Sequence, residues 1–183
     1  MGKRSDFKRR PQDQYETPIS GTAPLRSFLP FGLTYWEPCA LRGAIIDGLS
    51  GVATCGLATE KHPGCVPLEG IYRADSMTAR ACDLPSSIDA IVTNPPWTRA
   101  ILHPMIDLFS SLRPTWLLFD ADWAHTKQAH PFLDQCSHIV SVGRLKWISD
   151  SPHTGKDNCA WYRFDARHIG GPRFYGQQAR EAA

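Results

Sequence analysis

In the stretch Ile91-Val92-Thr93-Asn94-Pro95-Pro96-Trp97, an apolar strand pattern runs straight into an amide, two prolines and an aromatic. Residues Ile88 to Val92 have the near-unbroken hydrophobicity of a buried parallel strand. Neither proline has an N–H to donate, so the sheet ladder must stop at Asn94. The Asn94 amide is then left at the carboxyl end of a strand, where open α/β sheets build their sites. The stiff Pro-Pro turn holds one amide oxygen, the Pro95 carbonyl and one aromatic face in fixed relation. An acceptor pair beside a stacking platform suits a planar group that carries an NH2.

Upstream, Leu33-Thr34-Tyr35-Trp36-Glu37-Pro38-Cys39-Ala40-Leu41-Arg42-Gly43-Ala44-Ile45-Ile46 reads as a strand, a tight turn and a helix. Gly43 removes the side chain that would keep a ligand away from that turn. Glu60 follows a strand read over Val52 to Thr59. It lies about as far past Gly43 as the ribose-binding acid lies past the glycine turn of dinucleotide folds, so its carboxylate could accept two ribose hydroxyls. Asp75 follows a second short apolar run, Gly70-Ile71-Tyr72-Arg73-Ala74. Nearer the amino terminus stands Tyr15-Glu16-Thr17-Pro18.

Asn94-Pro95-Pro96-Trp97 resembles the catalytic motif of S-adenosylmethionine-dependent amino-methyltransferases, the DNA adenine-N6 and cytosine-N4 enzymes above all. The turn from Glu37 to Gly43 resembles their first cofactor motif, and Tyr15-x-Thr17-Pro18 their segment that closes over the methionine end of the cofactor. The resemblance implies S-adenosylmethionine held by Tyr15, Thr17, Pro18, Glu37, Pro38, Cys39, Ala40, Gly43, Glu60, Asp75 and Asn94. Glu37 would meet its ammonium and Asp75 its adenine amine. The family's first glycine is Leu41 here; if the turn needs a positive φ at that position, leucine is strained there. The family's cytosine enzymes more often carry serine in place of Asn94, so adenine is the expected target, with cytosine-N4 or RNA methylation as alternatives. A degenerate nucleic-acid-binding module is the reading from a different class. The order and compactness of the motifs resemble small phage or prophage enzymes.

With 183 residues the chain can bury a genuine core as one domain. Its 42% hydrophobic and 21% charged content are those of a globular protein. No apolar run reaches the length of a membrane span and the polar, basic start is not a secretory signal, so a cytoplasmic protein is expected. The six cysteines show neither metal-ligand spacing nor a disulfide framework. Cys39, in the cofactor turn, reads as a small packing residue. The net charge of +2 does not by itself demand nucleic acid. Lys3, Arg4, Lys8, Arg9 and Arg10 nevertheless crowd the start, and Arg163, Arg167, Arg173 and Arg180 the end, as phosphate-neutralising arms do.

Downstream of Trp97, Ala100 to Leu112 has the spacing of an amphipathic helix. Thr115 to Phe119 reads as a strand, His125 to Gln135 as a helix. Ile139 to Ile148 and Cys159 to Phe164 read as an antiparallel pair joined by a polar loop, residues 149–158. The expected architecture is the Rossmann-like α/β fold of class I methyltransferases, a seven-stranded, mostly parallel sheet with one antiparallel strand and helices on both faces. A basic arm (1–14), a catalytic domain (15–166) and a basic tail (167–183) divide the chain, leaving no segment for a separate target-recognition domain. Loops must then read the DNA, and the candidate substrate contacts are Arg99, Trp123, Lys146, Trp147, His153 and Lys156.

Overall fold

The computed structural model describes residues 15–62, 69–148 and 154–177. The arm over 1–14, His153 with the first half of the polar loop (149–153), and Arg180 lie outside the described residues.

Helix α1 (Ile19–Arg26) precedes β1 (Leu33–Glu37), α2 (Ala44–Leu49), β2 (Ala53–Glu60) and β3 (Ile71–Arg73). The chain continues through β4 (Ala90–Thr93), α3 (Arg99–Leu112), β5 (Thr115–Asp120), α4 (His130–Leu133), β6 (Cys136–Arg144), β7 (Asn158–Phe164) and β8 (Arg173–Tyr175). These strands form one sheet in the order β3-β2-β1-β4-β5-β7-β6-β8. Strand β7 runs antiparallel to both neighbours, and the other pairings are parallel. After β3 the chain crosses back to place β4 on the far side of β1. Strand order reverses there, and the crevice beyond the carboxyl ends of β1 and β4 is where such sheets take ligands.

Both sheet faces are covered, which explains the unbroken hydrophobicity of the central strands. Along β5, Leu117 and Phe119 pack with α3 residues Leu102, Ile106 and Phe109 on one face. Trp116 and Leu118 pack with Leu25 of α1 and Ile45 and Leu49 of α2 on the other. Helix α1 is tied to the sheet by the Trp161 indole N–H, which donates to the Gly21 carbonyl at 2.7 Å. It meets α2 where Gly48 lies against Thr22, with no room there for even a methyl group.

Three expectations need correction. The sheet has eight strands, because Arg173–Tyr175, inside the stretch expected as a tail, pairs with β6. Aromatic packing holds it: the Tyr175 ring stacks on His138 at 5.3 Å and meets Phe28 edge-on at 4.8 Å. In place of the helix expected over His125 to Gln135 stand a 3₁₀ turn, Ala121–His125, ending where that helix was to begin, and then the single turn α4. The Asp120 carboxylate caps the first by accepting the Asp122 N–H, the Thr126 hydroxyl closes it on the Trp123 carbonyl, and Pro131 begins the second. Strand β6 ends at Arg144, short of Ile148, with Gly143 at φ 83° twisting its end.

Candidate active site

The last residue of β1 is Glu37, and Asn94 follows directly on β4. Glu37 is 1% exposed. The Thr93 hydroxyl donates to its Oε1 at 3.4 Å, linking the two strand ends. Among the described residues its Oε2 has no hydrogen-bond partner. Burial therefore pushes its carboxyl well above the ordinary value of 4.5, and the charges of Glu16 and Glu60 add to the rise.

The turn after β1 has the expected tightness. The Ala40 N–H donates to the Thr59 carbonyl and the Gly43 N–H to the Ala40 carbonyl, at 3.0 and 2.7 Å. Gly43 adopts φ 87°, and Leu41 adopts φ 45°, the one non-glycine residue with positive φ among those described. The position that is glycine in the family pattern thus does take the conformation glycine favours. Glu60, the last residue of β2, accepts the Leu41 N–H at its Oε2 and the His62 N–H at its Oε1. Its carboxylate braces the turn, a role that the ribose reading did not include. Cys39 is apolar in behaviour: burial pushes its thiol up to about 12, unsuited to a nucleophile.

A cavity of about 240 Å³ opens between this turn and α3. Pro38, Met77, Ile101 and Met105 give it apolar walls, with Glu60, Asp75 and Asn94 as polar groups at its edge. The Lys61 ammonium, 2.8 Å from Asp75, holds that carboxyl below the usual range, and the Met77 N–H also donates to it. A smaller hollow beside it is lined by Glu16, Thr17, Glu37 and Ala40. Tyr15, Cys39, Leu41 and Asn94 line both spaces, so the amide stands where they adjoin.

The amide is held at both ends. Its Nδ2 donates to the Thr17 hydroxyl oxygen at 3.2 Å, and its Oδ1 accepts the Trp97 indole N–H at 3.1 Å. Trp97 is met edge-on by Trp147 at 5.6 Å and 82°, and Trp147 lies 6.4 Å from Tyr15. Pro18 sits just ahead of α1, Pro95 is buried, and Pro96 lines the larger cavity.

The structure therefore brings together Tyr15, Thr17, Glu37, Pro38, Cys39, Ala40, Glu60, Asp75, Asn94, Pro96, Trp97 and Trp147. Arg99 is exposed at the start of α3, and Lys146 and Lys156 are exposed. Trp123 is a correction. It is 3% exposed, packed on Phe119, Phe132, Tyr162 and Phe164, with its indole N–H on His103 Nε2 at 3.1 Å. It belongs to the core and presents no surface to a substrate.

Sequence reasoning also missed Glu16. Its Oε1 accepts the Arg42 N–H at 3.0 Å, fastening the amino-terminal segment to the turn, and burial raises its carboxyl above the ordinary range. Its signal was present, an acid inside the Tyr15-to-Pro18 segment, but no local pattern pointed it at Arg42. Lys61, Met77 and Met105 were missed for the same reason.

No protein-family model matches this chain, and no curated protein matches it in sequence. Solved structures do. A protein from Pyrococcus horikoshii with a proposed RNA-methyltransferase assignment superposes with a TM-score of 0.62 at 15% identity, over 89% of this chain and 93% of that one. The 23S rRNA methyltransferase ErmE gives 0.53 at 13% identity, over 90% and 71%. The M protein of the type I restriction enzyme EcoKI gives 0.52 at 11% identity, over 94% of this chain and 48% of that one. Identities this low speak to architecture alone, and together with the strand order they show one thing: the chain has the class I methyltransferase fold.

Proposed function

We propose that this chain is an S-adenosylmethionine-dependent methyltransferase acting on the exocyclic N6 amine of adenine in DNA. The observation that carries the reading is the placement of Asn94. Its amide sits at the sheet's switch point, on the wall between a cavity fit for a nucleoside and a hollow that holds the carboxyls of Glu16 and Glu37.

The residues present suit the cofactor. An orphaned, buried carboxylate oxygen on Glu37 asks for a cationic donor, which an ammonium supplies. Thr17 and Tyr15 close the same hollow. Asp75 lies at the polar edge of the larger cavity, whose Met77, Ile101 and Met105 walls suit a purine face. When bound, the cofactor supplies an electrophilic sulfonium methyl group.

The exocyclic amine is a poor nucleophile, because its lone pair is delocalised into the ring. Asn94 Oδ1 and the Pro95 carbonyl accept its two N–H bonds, favouring a pyramidal nitrogen with its lone pair free to attack. The methyl group would pass from the sulfonium to this nitrogen, leaving a neutral thioether, and one of the two N–H protons would be lost to water; alignment and fixed dipoles supply the acceleration. The base leaves the duplex to reach Asn94, and the Trp97 ring supplies its stacking surface. Arg99, Lys146 and Lys156, exposed on the loops and α3, supply phosphate contacts.

The deciding experiment incubates the protein with tritiated S-adenosylmethionine and unmethylated DNA, then identifies the product by mass spectrometry. N6-methyladenine is expected. N4-methylcytosine, or transfer to RNA in preference to DNA, would replace the substrate assignment. A protein that binds DNA but no cofactor in calorimetry would end the enzymatic reading.

A further inference from the structure

Both ends of the Asn94 side chain are already hydrogen-bonded before any substrate arrives. Its Nδ2 donates to Thr17 Oγ1 and its Oδ1 accepts from Trp97 Nε1. An indole nitrogen is a donor only, so this contact presents the amide with its oxygen toward the aromatic side. Trp97 is half-buried, and its ring is braced by the edge-on Trp147 ring, with Tyr15 behind that. Aromatic side chains from the amino-terminal segment, the β4 tip and the segment after β6 thus form one cluster, and its Trp97 member meets the Asn94 oxygen.

From this geometry we infer that the Trp97 indole N–H holds the place of the target N–H, and so acts as a selectivity gate for amine-bearing bases. The inference rests on the methyltransferase reading above. In the resting protein the N–H keeps a half-buried acceptor satisfied, avoiding the cost of a bare one. An incoming exocyclic amine takes over the Oδ1 acceptor, so one N–H···O bond replaces another and the exchange is nearly balanced. The indole N–H is thereby released from Oδ1, and the ring turns its face to the base. A base edge without an N–H donor cannot make the exchange: displacing Trp97 would leave the oxygen unpaired. Phenylalanine could stack equally well but offers no donor. Trp97 is therefore a positioning and specificity-determining residue as well as a stacking one.

The test is hydrogen exchange of the indole N–H groups, followed by NMR on protein labelled with 15N at tryptophan. The Trp97 resonance is assigned by its loss in Trp97→Phe. In the free protein the Trp97 N–H should exchange slowly, and Asn94→Ala should accelerate it about fivefold, the equivalent of one ordinary hydrogen bond. Saturation with S-adenosylhomocysteine and a DNA that the protein methylates should remove the protection and move the resonance. Free exchange in the unliganded protein overturns the inference. So does an unchanged, protected resonance in the saturated complex. Protection without transfer to any DNA would instead sink the functional reading, and the gating role with it, leaving only a structural hydrogen bond.

Discussion

Glu60 accepts the backbone N–H of Leu41 at 2.9 Å and, with its other oxygen, that of His62 at 2.8 Å. One carboxylate at the end of β2 thereby fixes a leucine at φ 45° in the turn after β1. A left-handed leucine costs on the order of 1–2 kcal/mol, because its Cβ crowds the following carbonyl. The Glu60 bond is a charge-assisted contact of comparable size. The turn thus sets a leucine in a backbone conformation that glycine favours.

Leu41→Gly should therefore stabilise the protein modestly. Relief of the left-handed strain exceeds the extra chain entropy of glycine, which is about 0.5–1 kcal/mol. A gain of up to about 1 kcal/mol in urea unfolding is expected. A loss of stability would mean that the Leu41 side chain contributes more by packing than the strain removes.

Glu60→Gln should destabilise by about 1–3 kcal/mol. Both carboxylate oxygens accept backbone N–H groups, and glutamine offers only one acceptor, setting its NH2 against the other donor. The same denaturation measurement decides it. Adding Leu41→Gly should recover part of the loss, since the two residues share one contact.

Cofactor binding should release a proton from Glu37. Burial raises its carboxyl above the ordinary value of 4.5, so the folded protein keeps that proton in a window where the unfolded chain has lost it. Its contribution to stability is full below the unfolded value and declines as pH climbs toward the folded one. A bound ammonium reverses the preference and favours the charged carboxylate. Affinity for S-adenosylmethionine should then rise with pH across the same window, and calorimetry in buffers of different ionisation enthalpy should detect the released proton. Glu37→Gln should abolish the release and weaken binding about tenfold or more. Proton-neutral binding by the wild type would remove Glu37 from the cofactor site.

Asn94→Ala should lower the methyl-transfer rate by at least about a hundredfold, as removal of one preorganised polar group does in other enzymes. Affinity for the cofactor should change little. Single-turnover kinetics and calorimetry, run side by side, separate the two effects.

Thr17→Val should reduce the transfer rate with a smaller effect on cofactor affinity, because it removes the oxygen that receives Asn94 Nδ2. Thr17→Ser should restore most of the rate. Failure of serine to rescue would mean that the Thr17 methyl, buried beside Gly21, matters more than its hydroxyl.

The strand ends were legible because their determinants are local. Pro95 and Pro96 cannot donate to a ladder, and Gly43 has no side chain, whatever surrounds them. Placing Asn94 and Glu37 at neighbouring strand tips needed only those facts and the rule for switch points. Trp123 was misread because a residue in the turn after a strand can face either way. Its burial follows from the docking of α3, β7 and α4, which puts His103 and a ring of aromatics around it. Strand β8 was illegible for a related reason, since three residues carry no periodicity and pair only because Phe28 and His138 await Tyr175.

By itself, then, the sequence determined where the sheet stops and which chemical groups stand at its edge. Those choices are covalent and steric, settled within a few residues. Only the tertiary structure decided how these groups are occupied. Thr17 and Asn94 are 77 positions apart, and the orientation of the amide depends on Thr17 at one end and Trp97 at the other. A side-chain hydrogen bond is a statement about distance in space, and distances across the chain exist only once the two faces of the sheet have been packed.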